Sequence, residues 1–396
     1  MNILYLDWKC YGRESTLETF RELGHTTFPF FHQDYQEVVS TSFHSEVIRF
    51  VESNSIDLCY SWNYFPVLAE ACKDLGIPYV SFIYDNPYSY MYSFTLMYPT
   101  NFVFTFESSE YQKFRDGGLT NVFYKVLPGN PDHMASFFSE SDPIHNLAMC
   151  KKTSCDLSFV GSLYQDEHDF LDRVTAKGNS YLNGYLEGLM AAQEMVYGAN
   201  FIEDALTPNI TQMMQDAVPY QSGNRNLQTP EQVYSRYFIN RKLTSKERLH
   251  LLSKVGQVYP GQCKLFTTDS EIVIPGVDNM GVANYESEMV NVFHNSKINL
   301  NITLRSIFTG IPLRCIDIMS SGGFLLSNYQ EDLCNAFIPG EEFVYYESAK
   351  DMLDKIGYYL DHSNERMQIA ENGLNRIRKD YSFMQTFQDI FDIVFP

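Results

Sequence analysis

The chain alternates twice between the two periods that mark strands and helices, and this constrains the fold more than any other feature. In the first third, "NILYLDW" (2–8) is a short β run, and "ESTLETFRELG" (14–24) has helical spacing and stops at Gly24. "TTFPFF", "SEVIRFVES", "IDLCYSW", "FPVLAEACKDLG" and "IPYVSFIYD" continue as strand, helix, strand, helix, strand. "NFVFTF", "SSEYQKFRDGG" and "TNVFYKVLPG" repeat the pattern. Strands joined by helices at this spacing imply βαβ units and a parallel sheet. Several of these strands are apolar on both faces, as a sheet covered by helices on both sides requires.

The pattern lapses from about 131 to 155, where Pro, Ser and charged residues mix, and the domain boundary is expected there. A second alternation opens with "CDLSFVGSLY" (155–164), where a β run breaks at Gly161. A helical stretch follows from about 165 to 257. Within it Thr229 is placed to cap a helix with Pro230 at its first position, and Thr244 and Glu247 stand at capping-box spacing. Alternation then resumes through "CKLFTT", "ESEMVNVFHNS", "KINLNIT", "PLRCIDIMSS", "GFLLSN", "EFVYY" and "AKDMLDKIGYYLDH". The end reads as two helices broken near Tyr381. The expected fold is α/β, with two Rossmann-like, doubly wound domains. The first spans 1–140; the second spans 155–380, with a helical insertion at about 165–257. A cleft between such domains is a natural ligand site, because strand carboxyl ends and helix N-termini face it.

A length of 396 residues suits two domains of ordinary size. The formal net charge of −20 repels phosphate backbones and anionic headgroups, which argues against nucleic acid and against electrostatic binding to a bilayer. A small anion remains compatible with it where arginines and helix N-termini overcome the global field. The eight cysteines are scattered without a C-x-x-C pair, as in a reducing compartment. Met1 leads straight into a strand-like run, and no apolar stretch approaches the length of a membrane span, so a cytoplasmic location is expected. The nine histidines show no metal-ligand spacing.

The stretch "GIPLRCIDIMSSGGFLLSN" (310–328) carries the most chemistry. At helical spacing Arg314, Asp317, Ser320 and Ser321 share one arc, opposite Cys315, Ile316, Ile318 and Met319. Gly310, Ile311 and Pro312 bring the chain to a helix start whose free N–H groups can meet an anion. Arg314 adds forked donors suited to phosphate, and Asp317, one turn on, could hold ribose hydroxyls. Together they describe a nucleotide-diphosphate site; an Arg–Asp surface pair is the competing reading. Upstream, "SKINLNITLRSIFTG" places Asn299, Asn301 and Thr303 at a strand's carboxyl end and Arg305 and Thr309 in the loop before Gly310. Gly161 and Ser162 form a second strand-to-glycine turn, and Arg248 is either a third cation or a solvated arginine. In the first domain Asp85, in "FIYDNPYSY", could act as a base toward an acceptor hydroxyl, bond to it, or cap the next turn. His133, in "LPGNPDH", contacts a sugar or is a loop histidine without a role.

These residues carry a family likeness. "SKINLNITLRSIFTGIPLRCIDIMSSGGFLLSNYQEDL", "PGEEFVYYESAKDMLDKIGYYLDH" and "RMQIAENGLNRI" resemble the C-terminal domain of bacterial CgeB-type (spore-maturation-type) glycosyltransferases, which are grouped with the GT-B enzymes. "CDLSFVGSLY" and "RKLTSKERLHLL" are similar to the start of that domain, and "NILYLDWKCYG", "IPYVSFIYDNP" and "GGLTNVFYKVLPGNPD" resemble its N-terminal companion. The resemblance implies sugar transfer from a nucleotide-diphosphate donor, with a UDP-sugar as the first expectation, and no metal or other cofactor. The donor would be held by the C-terminal domain and an acceptor (protein, glycan or small molecule) by the N-terminal one. The last helix, 381–396, would cross back to the first domain. Asp317 matches the acidic residue that holds the donor ribose, and Arg314 the arginine before it. Relatives carry a glutamate eight residues before the ribose carboxylate, where this chain has Thr309; donor sugar and stereochemistry stay open. A nucleotide-sugar epimerase of the same fold and a non-catalytic nucleotide- or sugar-binding homologue are the alternatives, and an oligomer is compatible with each.

Overall fold

The computed structural model of the protein describes residues 1–137, 149–165, 169–223 and 225–396. The chain divides into two units. The first comprises Met1–Pro128, Gln221–Thr229 and Asp380–Pro396, and the second comprises Gly129–Tyr220 and Pro230–Lys379. The sequence boundary near 140 thus moves to Gly129, and a close approach explains why. A Cβ on Gly129 would sit 2.2 Å from Ser320 Oγ and 2.7 Å from Ile377 Cγ2, so only a glycine fits the chain against those second-unit side chains. Residues 138–148, in the middle of the segment read as a linker, lie outside the described residues.

The sheet of the first unit contains β1 (Asn2–Leu6), β2 (Thr26–Phe30), β3 (Leu58–Trp62), β4 (Tyr79–Phe82), β5 (Asn101–Thr105) and β6 (Val122–Tyr124). Their order is β2-β1-β3-β4-β5-β6, with parallel pairing throughout. Every residue of β3 and β4 is buried, which is why these runs lack polar alternation. The connecting helices have ordinary ends. Ser40 Oγ accepts the Phe43 N–H at the start of Thr41–Asn54, and Pro66–Leu75 opens on a proline and stops at Gly76. The last helix, Phe383–Val394, belongs to this unit; Phe387 lies 4.9 Å from Phe20 and 5.5 Å from Tyr60, ring to ring.

The sheet of the second unit contains β7 (Cys155–Val160), β8 (Cys263–Phe266), β9 (Val277–Asn279), β10 (Ser296–Asn301), β11 (Leu325–Asn328) and β12 (Val344–Tyr346). Their order is β12-β11-β10-β7-β8-β9, again parallel throughout. The chain runs outward from β7 to β9, then returns to the other side of β7 with β10. The strand order therefore switches between β7 and β10, and their carboxyl ends flank the crevice where ligands of open α/β sheets bind. In the first unit the corresponding switch lies between β1 and β3.

The helical insertion has a core of its own, built on Leu182, Leu186, Ile210, Met214, Tyr234 and Phe238. Its last part departs from the sequence reading. The helix that begins at Pro230 continues through a π-helical turn, Tyr234–Ile239, into Asn240–Val258. Thr244 is therefore mid-helix. Its hydroxyl donates back to the Asn240 carbonyl at 2.7 Å. That bond replaces the expected cap.

Candidate functional site

The switch point of the second sheet is tied together by one arginine. From the helix Asn240–Val258, Arg248 Nε donates to the Ile302 carbonyl (3.0 Å), just past β10. Its Nη1 donates to the Ser162 carbonyl (2.5 Å), just past β7. The expectation of a solvated arginine is corrected: Arg248 is buried, and burial lowers its pKa, with the nearby positive charge of Arg314 acting in the same direction. Gly161 lies beside it, where a Cβ would come 3.6 Å from Arg248 Nη1. Ser162 Oγ accepts the Tyr164 N–H (3.0 Å). Tyr164 adopts a left-handed backbone, which is uncommon for a residue other than glycine. Arg241 and Arg248 both lie over its ring.

The helix Leu313–Ser320 starts at Pro312 without a side-chain cap; the Cys315 N–H donates to the Pro312 carbonyl (2.9 Å), which leaves the Leu313 and Arg314 N–H groups for an anion. Ile311 and Gly310, just before it, are buried; the Gly310 carbonyl accepts from Gln330 Nε2 (3.2 Å). Asp317 is only 2% exposed, which removes the surface-pair reading. Burial pushes its carboxyl up to about 6, against the opposing pull of Arg314 and of the Tyr285 hydroxyl, which donates to Asp317 Oδ1 (3.1 Å). Arg314 is half-buried, with its guanidinium over the Phe293 ring (5.4 Å) and Nη1 against Met289 Sδ.

Other predicted residues face inward. Arg305 meets both oxygens of Glu247 (2.7 and 2.8 Å), and its Nη1 donates to the Val196 carbonyl (2.8 Å). Burial opposes its charge, but Glu247 outweighs that and holds its pKa up. Arg305 thus anchors the loop after β10 to the insertion. Asn301 Nδ2 donates to Thr303 Oγ1 and Ser327 Oγ, inside the sheet's edge. Thr309 Oγ1 donates to Asp332 Oδ2 (3.2 Å), and its carbonyl accepts the Asp332 N–H (3.0 Å). A buried carboxylate therefore touches the very position that is a threonine here.

In the first unit, Asp85 follows β4 and accepts from Asn63 Nδ2 (2.7 Å). The next helical turn, Ser89–Tyr92, starts without a side-chain cap, so Asp85 does not cap it. Asp85 is exposed; desolvation by its surroundings raises its pKa, Asn63 partly offsets this, and exposure keeps the effect small. His133 belongs to the second unit, in the short helix Pro131–Ser136, with its ring edge-on to Phe137. Tyr285 and Tyr164 escaped the sequence reading; the only local signal for Tyr285 is its i,i+4 spacing to Met289 in "NYESEMVNVF". Among the described residues no three His, Cys, Asp or Glu side chains gather as a metal site requires, and no helix is long and apolar enough to cross a membrane.

Two Rossmann-like parallel sheets with a ligand crevice at each switch point define the GT-B fold, and solved structures agree. Residues 240–392 match the family model described as "Glycosyl transferase-like". A glycosyltransferase from Rickettsia africae aligns over 99% of this chain and 97% of its own, with 12% identity and a TM-score of 0.53. Anabaena HepE, solved in complex with UDP-glucose, aligns over 100% of this chain and 99% of its own, with 10% identity and a TM-score of 0.54. Sucrose-phosphate synthase from Thermosynechococcus elongatus aligns over 100% and 99%, with 9% identity and a TM-score of 0.52. No curated protein matches the chain.

Proposed function

We propose that the protein is a cytoplasmic glycosyltransferase of the CgeB type that moves a hexosyl group from a nucleotide-diphosphate sugar, with UDP as the first candidate nucleotide, to a hydroxyl-bearing acceptor. The observation that carries this reading is the uncapped start of Leu313–Ser320, which gathers open amides, Arg314 and, one turn in, the buried Asp317. Amides and guanidinium receive the diphosphate, and the carboxylate receives the ribose hydroxyls. As the glycosidic bond to the diphosphate breaks, negative charge grows on the leaving oxygen. The helix N-terminus and Arg314 stabilise that charge without a metal ion or cofactor, and Arg248 adds to the local field. Asp85 takes the proton of the acceptor hydroxyl or orients it. The match of residues 240–392 to a glycosyltransferase-like family, and the UDP-glucose complex of a protein with the same fold, support the choice of reaction and donor.

The test is incubation with UDP-, GDP- and TDP-sugars. Release of nucleoside diphosphate is expected for one of them. Interconversion of the sugar without release would favour an epimerase, and binding without turnover a non-catalytic homologue.

A further inference from the structure

Asp317 is a carboxylate that no ligand can reach as it stands, because it is only 2% exposed and Tyr285 already donates a hydroxyl to its Oδ1 at 3.1 Å. Tyr285 opens a five-residue π-helical turn, Tyr285–Met289, a geometry that recurs at functional positions. Met289, at the other end, sets its sulfur against Arg314 Nη1. One short turn therefore covers both the carboxylate and the guanidinium assigned to the donor. It is fastened by Glu288, whose Oε1 meets Lys152 Nζ (2.6 Å) and whose Oε2 accepts the Asn284 N–H (3.1 Å). The approach to it, 280–284, has no regular structure. It includes Gly281 in a left-handed conformation, which favours glycine.

We propose that Tyr285 is a specificity-determining competitor for Asp317: its phenolic hydroxyl holds, in the free protein, the carboxylate oxygen that a ribose hydroxyl takes in the complex. This rests on the reading of Asp317 as the ribose ligand. A phenol and a sugar hydroxyl are both O–H donors toward a carboxylate, the phenol being the stronger of the two. Donor entry then exchanges one hydrogen bond for another, and a buried carboxylate is left unsatisfied in neither state. The exchange lowers apparent affinity for nucleotides that carry ribose hydroxyls. Nucleotides that lack them leave the tyrosine in place and are unaffected.

Calorimetric titration of the full chain with UDP and with 2′,3′-dideoxy-UDP, on wild type and Tyr285→Phe, separates the outcomes. The titrations belong at about pH 8, well above the carboxyl's apparent pKa of about 6. The variant is expected to bind UDP roughly tenfold more tightly, because no hydroxyl must be displaced, and dideoxy-UDP equally well. Equal or weaker UDP binding by the variant, with dideoxy-UDP binding intact, would overturn the exchange and leave the donor site standing. Loss of both in the variant would make Tyr285 a structural residue and also overturn it. Failure of the wild type to bind UDP would bring down the donor-site reading and this inference with it.

Discussion

The two sheets are both six-stranded and parallel, each with one switch point although their strand orders differ, and they end in rims of opposite chemistry. At the switch point of the first sheet the chain presents rings. Trp8 stacks on Tyr84 (6.1 Å, 3° between planes) and on Tyr35 (6.1 Å, 26°), and its Nε1 donates to the Trp62 carbonyl (3.0 Å). The charged side chains there include the partly accessible Asp7–Arg13 pair, the exposed Lys9 and the exposed Asp85. At the switch point of the second sheet the chain presents Arg248 and Arg314, and the neighbouring loop is held by the buried Arg305–Glu247 pair. In a protein of net charge −20 a cationic rim is a local exception, and exceptions of this kind follow ligands. The difference teaches that the fold supplies a switch point in each sheet and side chains differentiate them: one rim is cationic and the other aromatic, as the proposed donor and acceptor roles require.

The hardest blow to this contrast is removal of Glu247. Glu247→Ala strands Arg305, 8% exposed, without its carboxylate, and removes the acceptor of the Tyr197 hydroxyl (2.6 Å). A loss of about 3–5 kcal/mol is expected in urea unfolding. Arg13→Ala, which breaks the accessible pair on the other rim, should cost less than about 1 kcal/mol. Similar costs for the two would erase the distinction between a rim held by buried charge and one held by rings.

Much of this arrangement was readable in one dimension, and the division is physical. Strands buried on both faces and helices with ordinary ends announce themselves within a dozen residues, so both sheets were legible, as were Arg314 and Asp317 on one helical arc. Three-residue β9 is too short to show a period. The π turn at Tyr234–Ile239 let Thr244 pass for a cap although the helix runs through it. Arg305 reads locally as a free cation beside a glycine turn, but its partner lies 58 residues earlier. Tyr285 is 32 residues from the carboxylate it holds. Pairings at such separations are decided by the tertiary fold and leave no mark on a local pattern.

Asp317 offers the next test, through pH. Its carboxyl has an ordinary value of 3.8 and is pushed by burial to about 6 in the folded protein. The unfolded chain therefore ionises first as pH rises, and stability is lost between about pH 4 and 6 and stays lower above that window. At about 1.4 kcal/mol per unit the loss comes to about 3 kcal/mol. Asp317→Asn removes this penalty while keeping an acceptor for Tyr285. The melting temperature of the variant should pull ahead of wild type across that window and hold its lead at neutral pH. A constant difference from pH 4 to 8 would mean that the carboxylate is not desolvated.

The mildest change probes the other rim. Asp85→Asn keeps an oxygen for Asn63 and alters an exposed position. Stability should therefore stay within about 0.5 kcal/mol of wild type, as for most surface substitutions. Its effect belongs to turnover. If the carboxylate accepts the proton of the acceptor hydroxyl, kcat falls at least about a hundredfold while UDP affinity is unchanged. If it only holds that hydroxyl, KM for the acceptor rises and kcat survives. A variant that turns over like wild type would strip the aromatic rim of its chemical group. The first crevice would then be a surface for binding alone, and the contrast between the rims would reduce to one site that reacts and one that receives.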